Sequence, residues 1–272
     1  MKIGIFAKTF VGITPAKVMA ASAEAGFATV QYNMACSGLL SLPEEISDEV
    51  VLAVAAASKQ TGVSVSAISA TYNMAHPSGA VRKAGRKSFA VIAAKARAMG
   101  SNLLTLCTGS RDPNDQWKHH EQNSSSDAWG DMVQEFGHLI AIAEREDIYL
   151  GIEPELGNVV STPAKAAALI KEMQSNRLRI IFDAANLFEQ AQAPDVRKLI
   201  EQGVNRLFDH IALAHAKDRD AKGKPCAPGK GVIDFSHYFK TLKAAGFSGD
   251  IVAHGFEAKD AAGVCKLLTP FA

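Results

Sequence analysis

Four side chains able to bind a metal ion or transfer a proton follow short apolar segments in the second half of the sequence. They are Glu153 in Gly-Ile-Glu-Pro-Glu, Asp183 in Ile-Ile-Phe-Asp-Ala-Ala-Asn, His215 in Ala-Leu-Ala-His-Ala-Lys-Asp, and Glu257 in Val-Ala-His-Gly-Phe-Glu. Each segment has the composition of a buried strand, so each side chain is predicted at the carboxyl end of a strand. Successive members are 30, 32 and 42 residues apart, and a polar insertion at 219–231 accounts for the longest interval. This spacing predicts that the four side chains share one rim of a barrel.

Three carboxylates that converge on one rim repel each other unless a positive charge lies between them. A divalent cation supplies that charge, and two Glu, one Asp and a neutral His form an oxygen-rich ligand set. Such a set suits Mn²⁺ or Mg²⁺ and is also compatible with Co²⁺ or Zn²⁺. A single acid of this kind can equally cap a helix or pair with Lys or Arg, so the prediction depends on the whole set.

Strand-like and helical segments alternate along the whole chain of 272 residues. The strands are predicted at 2–6, 28–32, 63–70, 103–107, 148–153, 178–183, 211–215 and 250–253. The helices are predicted at 14–24, 46–60, 81–99, 127–146, 162–174, 193–207, 234–245 and 258–268. This alternation indicates a parallel sheet and favours an α/β protein with one (β/α)8 TIM-barrel domain over residues 1–272. An open doubly wound sheet is the alternative, but the turn at 7–15 lacks the Gly-rich dinucleotide fingerprint.

The charge balance argues against a polyanionic partner. Lys and Arg number 29 and Asp and Glu 28, which gives a formal net charge of +1 and no global field to attract nucleic acid or an anionic membrane. We therefore expect a small neutral or singly charged partner. The four cysteines lie far apart without CxxC spacing, which predicts reduced thiols in a cytoplasmic protein. No signal sequence or membrane-spanning segment is expected.

Four motifs together resemble a known family. Glu-Pro-Glu at 153–155, Phe-Asp-Ala-Ala-Asn at 182–186, His-Ala-Lys-Asp at 215–218 and Phe-Glu at 256–257 resemble the xylose isomerase-like barrels, which include sugar phosphate isomerases and ketose 3-epimerases. The resemblance covers essentially the whole chain and implies an enzyme of carbohydrate metabolism, often a homo-oligomer. It also implies one catalytic divalent metal ion held by Glu153, Asp183, His215 and Glu257, with Glu153 and Glu257 acting as acid and base.

The sequence departs from the epimerase pattern at two positions. The epimerases usually carry His three residues after the strand-six Asp, where this chain has Asn186, and Arg after the strand-seven His, where the nearest candidates are Lys217 and Arg219. These departures leave metal binding intact and leave the substrate and the stereochemistry open.

Further side chains are candidates for substrate binding, and each has a structural alternative. Lys217 could neutralise an oxyanion or a phosphate, or pair with Asp218 or Glu155. The other candidates are Asn186 and Arg219, Glu155 beside the main motif, His76 as a substrate contact or turn cap, His254 in the rim or the wall, and Trp117 as part of a lid or as a loop anchor.

The predicted chemistry is proton abstraction beside a carbonyl. A metal ion chelated by a ketose carbonyl and the neighbouring hydroxyl stabilises an enediolate, and return of the proton either inverts the centre or isomerises the sugar. A dehydratase of an inosose or dehydroshikimate-like substrate and a non-catalytic sugar-binding barrel are the alternatives. An apurinic-site endonuclease is rejected, because strand four ends in Leu-Cys-Thr-Gly without the His of a three-zinc site.

Overall fold

Eight parallel strands close into a barrel in the computed structural model, which describes residues 1–12 and 14–272; Ile13, in the turn at 7–15 considered above, lies outside the described residues. The barrel strands are β1 Ile3–Phe6, β2 Thr29–Tyr32, β3 Ser64–Ser69, β4 Leu103–Cys107, β5 Tyr149–Glu153, β6 Leu178–Asp183, β7 Ile211–Ala216 and β8 Asp250–Ala253. Each strand pairs with its neighbour in sequence, and β8 pairs with β1 to close the ring. The predicted (β/α)8 barrel is confirmed.

One α-helix follows each barrel strand. The helices are α1 Pro15–Glu24, α2 Asp48–Thr61, α3 Gly79–Ala96, α4 Ser126–Arg145, α5 Pro163–Met173, α6 Ala193–Leu207, α7 Phe235–Ala244 and α8 Ala261–Leu268. The predicted bounds hold to within three residues; the last helix begins later than predicted because Ala258–Asp260 forms a 3-10 turn. The sequence did not predict the short antiparallel pair Asp218–Arg219 with Pro225–Cys226, which folds the polar insertion back on itself. None of the described helices has the length and apolar character needed to cross a membrane.

Local sequence signals fix where several helices begin. The side chains of Ser47, Ser125, Thr162 and Asp234 each accept a hydrogen bond from a backbone N–H in the first turn of α2, α4, α5 and α7, respectively. Such caps satisfy amide groups that have no partner within the helix. Pro163 at the first position of α5 suits the helix start, where its missing N–H is not needed.

The apolar core has two parts, one on each face of the sheet. The larger part fills the space between the barrel and its helices, and the smaller part consists of Ala67, Leu103, Ile181, Leu213 and Val252 inside the barrel. Successive side chains of a strand point to opposite faces, so the next inward side chain lies two residues further along each strand. The residue two positions after each member of the inner apolar cluster is therefore expected to face the opening at the carboxyl ends of the strands.

A bulge sets the register between β6 and β7. Ile180 pairs with Ile211 and Ile181 with Leu213, so Ala212 is an extra residue on β7. The bulge places Asp183 directly opposite His215.

Candidate active site at the carboxyl end of the barrel

A layer of buried polar side chains lies next to the inner apolar cluster, toward the carboxyl ends of the strands. Its members are each two residues beyond an inward-facing residue of the same strand: Ser69 on β3, Thr105 on β4, Glu153 on β5, Asp183 on β6 and His215 on β7. This follows from the period-two alternation of strand side chains. The barrel thus gathers polar groups from five strands at the end where enzymes of this architecture carry their sites.

Three of the four predicted metal ligands meet in this layer. Nδ1 of His215 lies 3.1 Å from Oε1 of Glu153 and 4.0 Å from Oδ2 of Asp183. His254 joins them, with Nε2 at 3.5 Å from Oδ2 of Asp183. One donor atom from each of these four residues lies within 4.8 Å of the others.

The structure does not bring Glu257, the fourth predicted ligand and second predicted acid-base group, to this cluster. Strand β8 ends at Ala253, and the chain turns away at Gly255, which has a φ of +87°. The Glu257 side chain is 75 % exposed and pairs with Lys259, 2.6 Å away, which lowers the pKa of Glu257 below its usual range. The prediction for Glu257 is wrong, because this residue lies too far beyond the end of its strand to point into the barrel.

His254 occupies the position that the prediction assigned to Glu257. Val252 belongs to the inner apolar cluster and is in register with His215, and His254 is the next residue on that face. Its position therefore follows from the same alternation that places Asp183 and His215.

Gln31, which the sequence reasoning missed, determines how His215 faces the cluster. Nε2 of Gln31 donates to the hydroxyls of Ser69 and Thr105, at 3.1 and 3.2 Å. Its Oε1 is therefore the acceptor that faces Nε2 of His215 at 2.8 Å. His215 carries a proton on Nε2, and Nδ1 is directed at the carboxylates. The only sequence signal for this role was an amide side chain inside the short predicted strand at 28–32.

Neighbouring carboxylates favour a second proton on the metal-free His215. Burial by itself disfavours the imidazolium, but the adjacent Glu153 carboxylate outweighs it and raises the pKa of His215 above its usual value. A cation that binds at Nδ1 replaces this second proton, as metal binding to histidine requires.

Lys217 and Asn186 join the carboxylates into one buried network. Asn186 Nδ2 donates to Glu153 Oε1 at 3.0 Å, and Asn186 Oδ1 accepts from Lys217 Nζ at 2.9 Å. Lys217 Nζ also lies 3.2 Å from Asp183 Oδ2 and 3.8 Å from Glu155 Oε1. Burial opposes the charged lysine, but Asp183 and Glu155 raise its pKa above the usual value. Lys217 thus pairs with Glu155 and Asp183, whereas Asp218 accepts hydrogen bonds from backbone amides of the following loop.

The residues present fit a divalent cation in two respects. Glu153, Glu155 and Asp183 place three carboxyl groups around the single ammonium of Lys217, so acidic side chains outnumber the lysine in the cluster. Among the described residues, Oδ2 of Asp183 and Nε2 of His254 are buried without a hydrogen-bond partner of good geometry. Buried polar atoms rarely remain unpartnered, and an ion between these two atoms satisfies both.

A cavity of about 380 Å³ opens onto the cluster. Glu153, Glu155, His215 and His254 line its floor and side. Its remaining wall includes the hydroxyl and amide side chains of Asn33, Ser41, Thr71 and Gln116 and the rings of Phe6 and Trp117. Such a wall offers both donors and acceptors, which suits a small polyhydroxylated molecule.

The loop that follows β4 carries Trp117 and is fixed over the cavity. Asn158 accepts from the Gly109 amide at 2.8 Å and donates to the Gln116 carbonyl at 2.9 Å. Asn123 donates to the Gly157 carbonyl at 2.8 Å. These hydrogen bonds therefore hold Trp117 in the cavity wall, at the mouth of the cavity.

His76 and Arg219, both predicted substrate contacts, lie outside this cavity. His76 accepts from the Ser78 amide at 2.9 Å through Nδ1, and its Nε2 lies 3.2 Å from the Pro113 carbonyl, so it caps a turn and holds the loop after β4. Arg219 donates to the carbonyls of Ala185 and Gly223, each at 2.8 Å. Both side chains hold the loops around the rim in place through hydrogen bonds to the backbone.

Comparisons with known proteins agree with the architecture. The family model described as "Xylose isomerase-like TIM barrel" matches residues 19–265. No curated protein matches the chain significantly.

Solved structures with the same fold include several sugar epimerases. The 3-keto-D-glucoside 4-epimerase of E. coli superposes with a TM-score of 0.80 at 19% identity, over 99% of each chain. The D-psicose 3-epimerase of Clostridium cellulolyticum H10, solved with D-tagatose, gives a TM-score of 0.78 at 14% identity over 100% of this chain and 99% of that one. The IOLI protein with a bound zinc atom gives 0.74 at 15% identity over 99% and 96%. At these identities the likeness establishes the fold.

Proposed function

This chain belongs to the xylose isomerase-like TIM-barrel family, and from that premise we propose that it is a divalent-metal-dependent isomerase or epimerase of a ketose or a related keto compound derived from a polyol. The observation that carries the proposal is the convergence of Glu153, Asp183 and His215 in one cluster, of which Glu153 and His215 line the cavity. The sugar epimerases with the same fold support the reaction class, and the zinc atom of the IOLI protein supports the metal.

Glu153, Asp183 and His215 are the proposed ligands of one divalent ion. When bound, such an ion supplies Lewis-acid polarisation of a substrate carbonyl. The surrounding residues orient the ligands: Gln31 holds the His215 ring, and Asn186 donates to Glu153. Lys217 lies against Asp183 and limits the repulsion among the carboxylates.

Glu153 is the proposed base that removes the proton from the carbon beside the carbonyl. Oε1 of Glu153 faces His215 and Asn186, whereas Oε2 lies on the side of Cys107, another residue of the cavity wall. Glu155 is the second carboxylate in the wall and the proposed group that returns or relays the proton. A carboxylate on the same side as Glu153 can deliver the proton to the adjacent carbon, which isomerises the sugar, whereas inversion of the centre needs delivery from the opposite face.

A dehydratase is the second candidate, and one observation favours it. Glu153 and Glu155 leave the barrel from the same strand, so both carboxylates approach the substrate from one side. One can remove a proton while the other protonates a hydroxyl that leaves from the same face.

Incubation of a panel of ketoses and keto-polyols in deuterated water, with and without added divalent ions, tests the proposal. We expect metal-dependent exchange of the proton beside the carbonyl in the wild type and its loss in Glu153→Gln. Formation of an unsaturated ketone without exchanged starting sugar would assign the dehydratase instead. Binding of a ketose without either reaction would assign a sugar-binding barrel.

A further inference from the structure

We propose that His254 is the fourth ligand of the metal site and that two imidazoles make the site select Zn²⁺ or Co²⁺ over Mg²⁺. The inference rests on the proposed function in that Glu153, Asp183 and His215 supply the other three donors. It differs from the oxygen-rich set expected from the sequence, in which Glu257 was the fourth ligand and Mn²⁺ or Mg²⁺ the expected ion.

The donor separations are those of atoms that share one ion. Nδ1 of His215 to Oε1 of Glu153 measures 3.1 Å, and Nε2 of His254 to Oδ2 of Asp183 measures 3.5 Å. All four donors lie within 4.8 Å of one another. Donors bound at about 2.0–2.2 Å from a common ion are separated by roughly 3–4.5 Å, so little rearrangement is needed.

The packing of His254 directs its ring into the cluster. The rings of His254 and His215 are 4.5 Å apart at an interplanar angle of 69°, and the ring of Phe6 packs edge-on against that of His254, with 6.3 Å between the centroids. The His254 amide donates to the Ala216 carbonyl at 3.2 Å, which extends the β7–β8 pairing by one residue. Strand pairing and an aromatic neighbour therefore hold Nε2 beside Asp183.

The unpartnered atoms point to a ligand between them. Asp183 has a fully buried side chain, and the Lys217 ammonium, 3.2 Å from its Oδ2, is not aligned as a hydrogen-bond donor to it, so this oxygen has no well-aligned donor among the described residues. Nε2 of His254, 3.5 Å from this oxygen, is also buried and also has no well-aligned hydrogen-bond partner among the described residues. A direct hydrogen bond between the two would satisfy both, but the geometry is not that of a hydrogen bond.

Replacing a carboxylate by an imidazole changes which ion the site prefers. Glu153, Asp183, His215 and His254 give two oxygen and two nitrogen donors, whereas the set with Glu257 would give three oxygens and one nitrogen. Imidazole is a good ligand for Zn²⁺ and Co²⁺, whereas Mg²⁺ prefers oxygen donors in an octahedral arrangement and keeps several waters. His254 is therefore a specificity-determining residue for the ion.

X-ray absorption spectroscopy of the zinc-loaded wild type is the first test, because it needs no variant and no substrate. The outer-shell scattering of imidazole counts the histidine ligands. Two imidazoles per zinc are expected, and a single imidazole would overturn the proposal even though zinc had bound. Failure of the protein to bind any of Zn²⁺, Co²⁺, Mn²⁺ or Mg²⁺ would remove the proposed function together with this inference.

Calorimetric titration of the chelator-treated protein with Zn²⁺ and Mg²⁺ is the second test. We expect His254→Ala to weaken Zn²⁺ binding by at least about tenfold, and His254→Glu to lower the ratio of Zn²⁺ to Mg²⁺ affinity by a similar factor. Glu257→Gln is the matched control and should bind both ions as the wild type does. An unchanged ratio in His254→Glu, or a loss of binding in Glu257→Gln, would contradict the proposal. Circular dichroism establishes that each variant is folded.

Discussion

Gln31 and His215 are joined by a hydrogen bond of 2.8 Å between residues 184 positions apart in the chain. The amide of Gln31 is itself oriented by two hydroxyls, so its oxygen is left to accept from Nε2 of the imidazole. Histidines that bind metals commonly donate their other nitrogen to such an acceptor, which fixes the tautomer and the ring orientation. The pair therefore sets the direction in which Nδ1 points.

Removal of this acceptor should weaken metal binding. We expect Gln31→Leu to lower the affinity for Zn²⁺ by about 10- to 100-fold, the usual effect of losing a residue that supports a ligand. Gln31→Glu keeps an oxygen acceptor and should retain most of the affinity. Isothermal titration of the chelator-treated proteins measures both. Equal affinity in Gln31→Leu and the wild type would show that the ring is held without this bond.

Lys217 is predicted to stabilise the metal-free protein more than the metal-bound one. Its ammonium is the positive charge nearest to Asp183 and Glu155, at 3.2 and 3.8 Å, and its side chain is 12 % exposed. Breaking a buried pair by removal of one partner costs about 3–5 kcal/mol, because the remaining charge is uncompensated. We expect Lys217→Gln to lose stability of that order without metal and less with Zn²⁺ bound.

Urea denaturation with and without Zn²⁺ measures this difference, and Lys83→Gln is the control. Lys83 is exposed on α3, so its replacement by Gln should leave the free energy of unfolding nearly unchanged under both conditions. An equal loss with and without Zn²⁺ would mean that Lys217 acts through packing alone.

Lys217 and Gln31 show which parts of the site could not be predicted from the sequence. Asp183 and His215 were found because each is a polar side chain at the end of an apolar strand. The pair of Lys217 with Glu155 was one of the predicted alternatives, but its closer pair with Asp183 was not predicted, because Asp183 is 34 residues away and the two meet only when β6 and β7 pair with the bulge at Ala212. Gln31 was missed for the same reason, since its role depends on hydroxyls from β3 and β4.

Glu257 was misassigned because periodicity alone does not say how the chain leaves a strand. The motif Phe-Glu resembled the family pattern, but the strand ends four residues earlier, at Ala253. Counting in steps of two from Val252 leads to His254, so the alternation of the strand was the better guide. The barrel itself was predictable because strand and helix signals alternate eight times, and each signal is local.

Glu155 is predicted to make the metal-free protein less stable as the pH rises from about 4.5 to 7. Burial and the neighbouring Glu153 carboxylate raise the pKa of Glu155 to about 7 in the folded state. A raised folded-state pKa contributes stability below the unfolded-state value and loses it as the pH rises through the folded-state value. The change is on the order of 3 kcal/mol.

Chemical denaturation of the metal-free protein from pH 4 to 8 tests this dependence. Because Gln cannot ionise, the free energy of unfolding of Glu155→Gln should change less with pH over that range. The pH profile of Glu257→Gln should follow that of the wild type. Bound Zn²⁺ should also flatten the profile, because a cation favours the ionised carboxylate. A wild-type profile that rises between pH 5 and 7 would contradict the assignment.

Gly157 is predicted to be necessary for the position of Trp117 at the cavity mouth. A Cβ at this residue would collide with the backbone carbonyl of Trp117, which cannot move away as a flexible side chain could. We therefore expect Gly157→Ala to displace the loop after β4, to shift the emission of Trp117 and to weaken binding of a sugar ligand more than it lowers the metal affinity.

Gly137, exposed in α4 with open space at its Cβ position, is the matched control. Gly137→Ala should stabilise the protein by about 1 kcal/mol through helix propensity and leave the emission unchanged. Since Trp129 is the second tryptophan, the spectra are compared in a Trp129→Phe background, so that any shift reports the loop at the mouth.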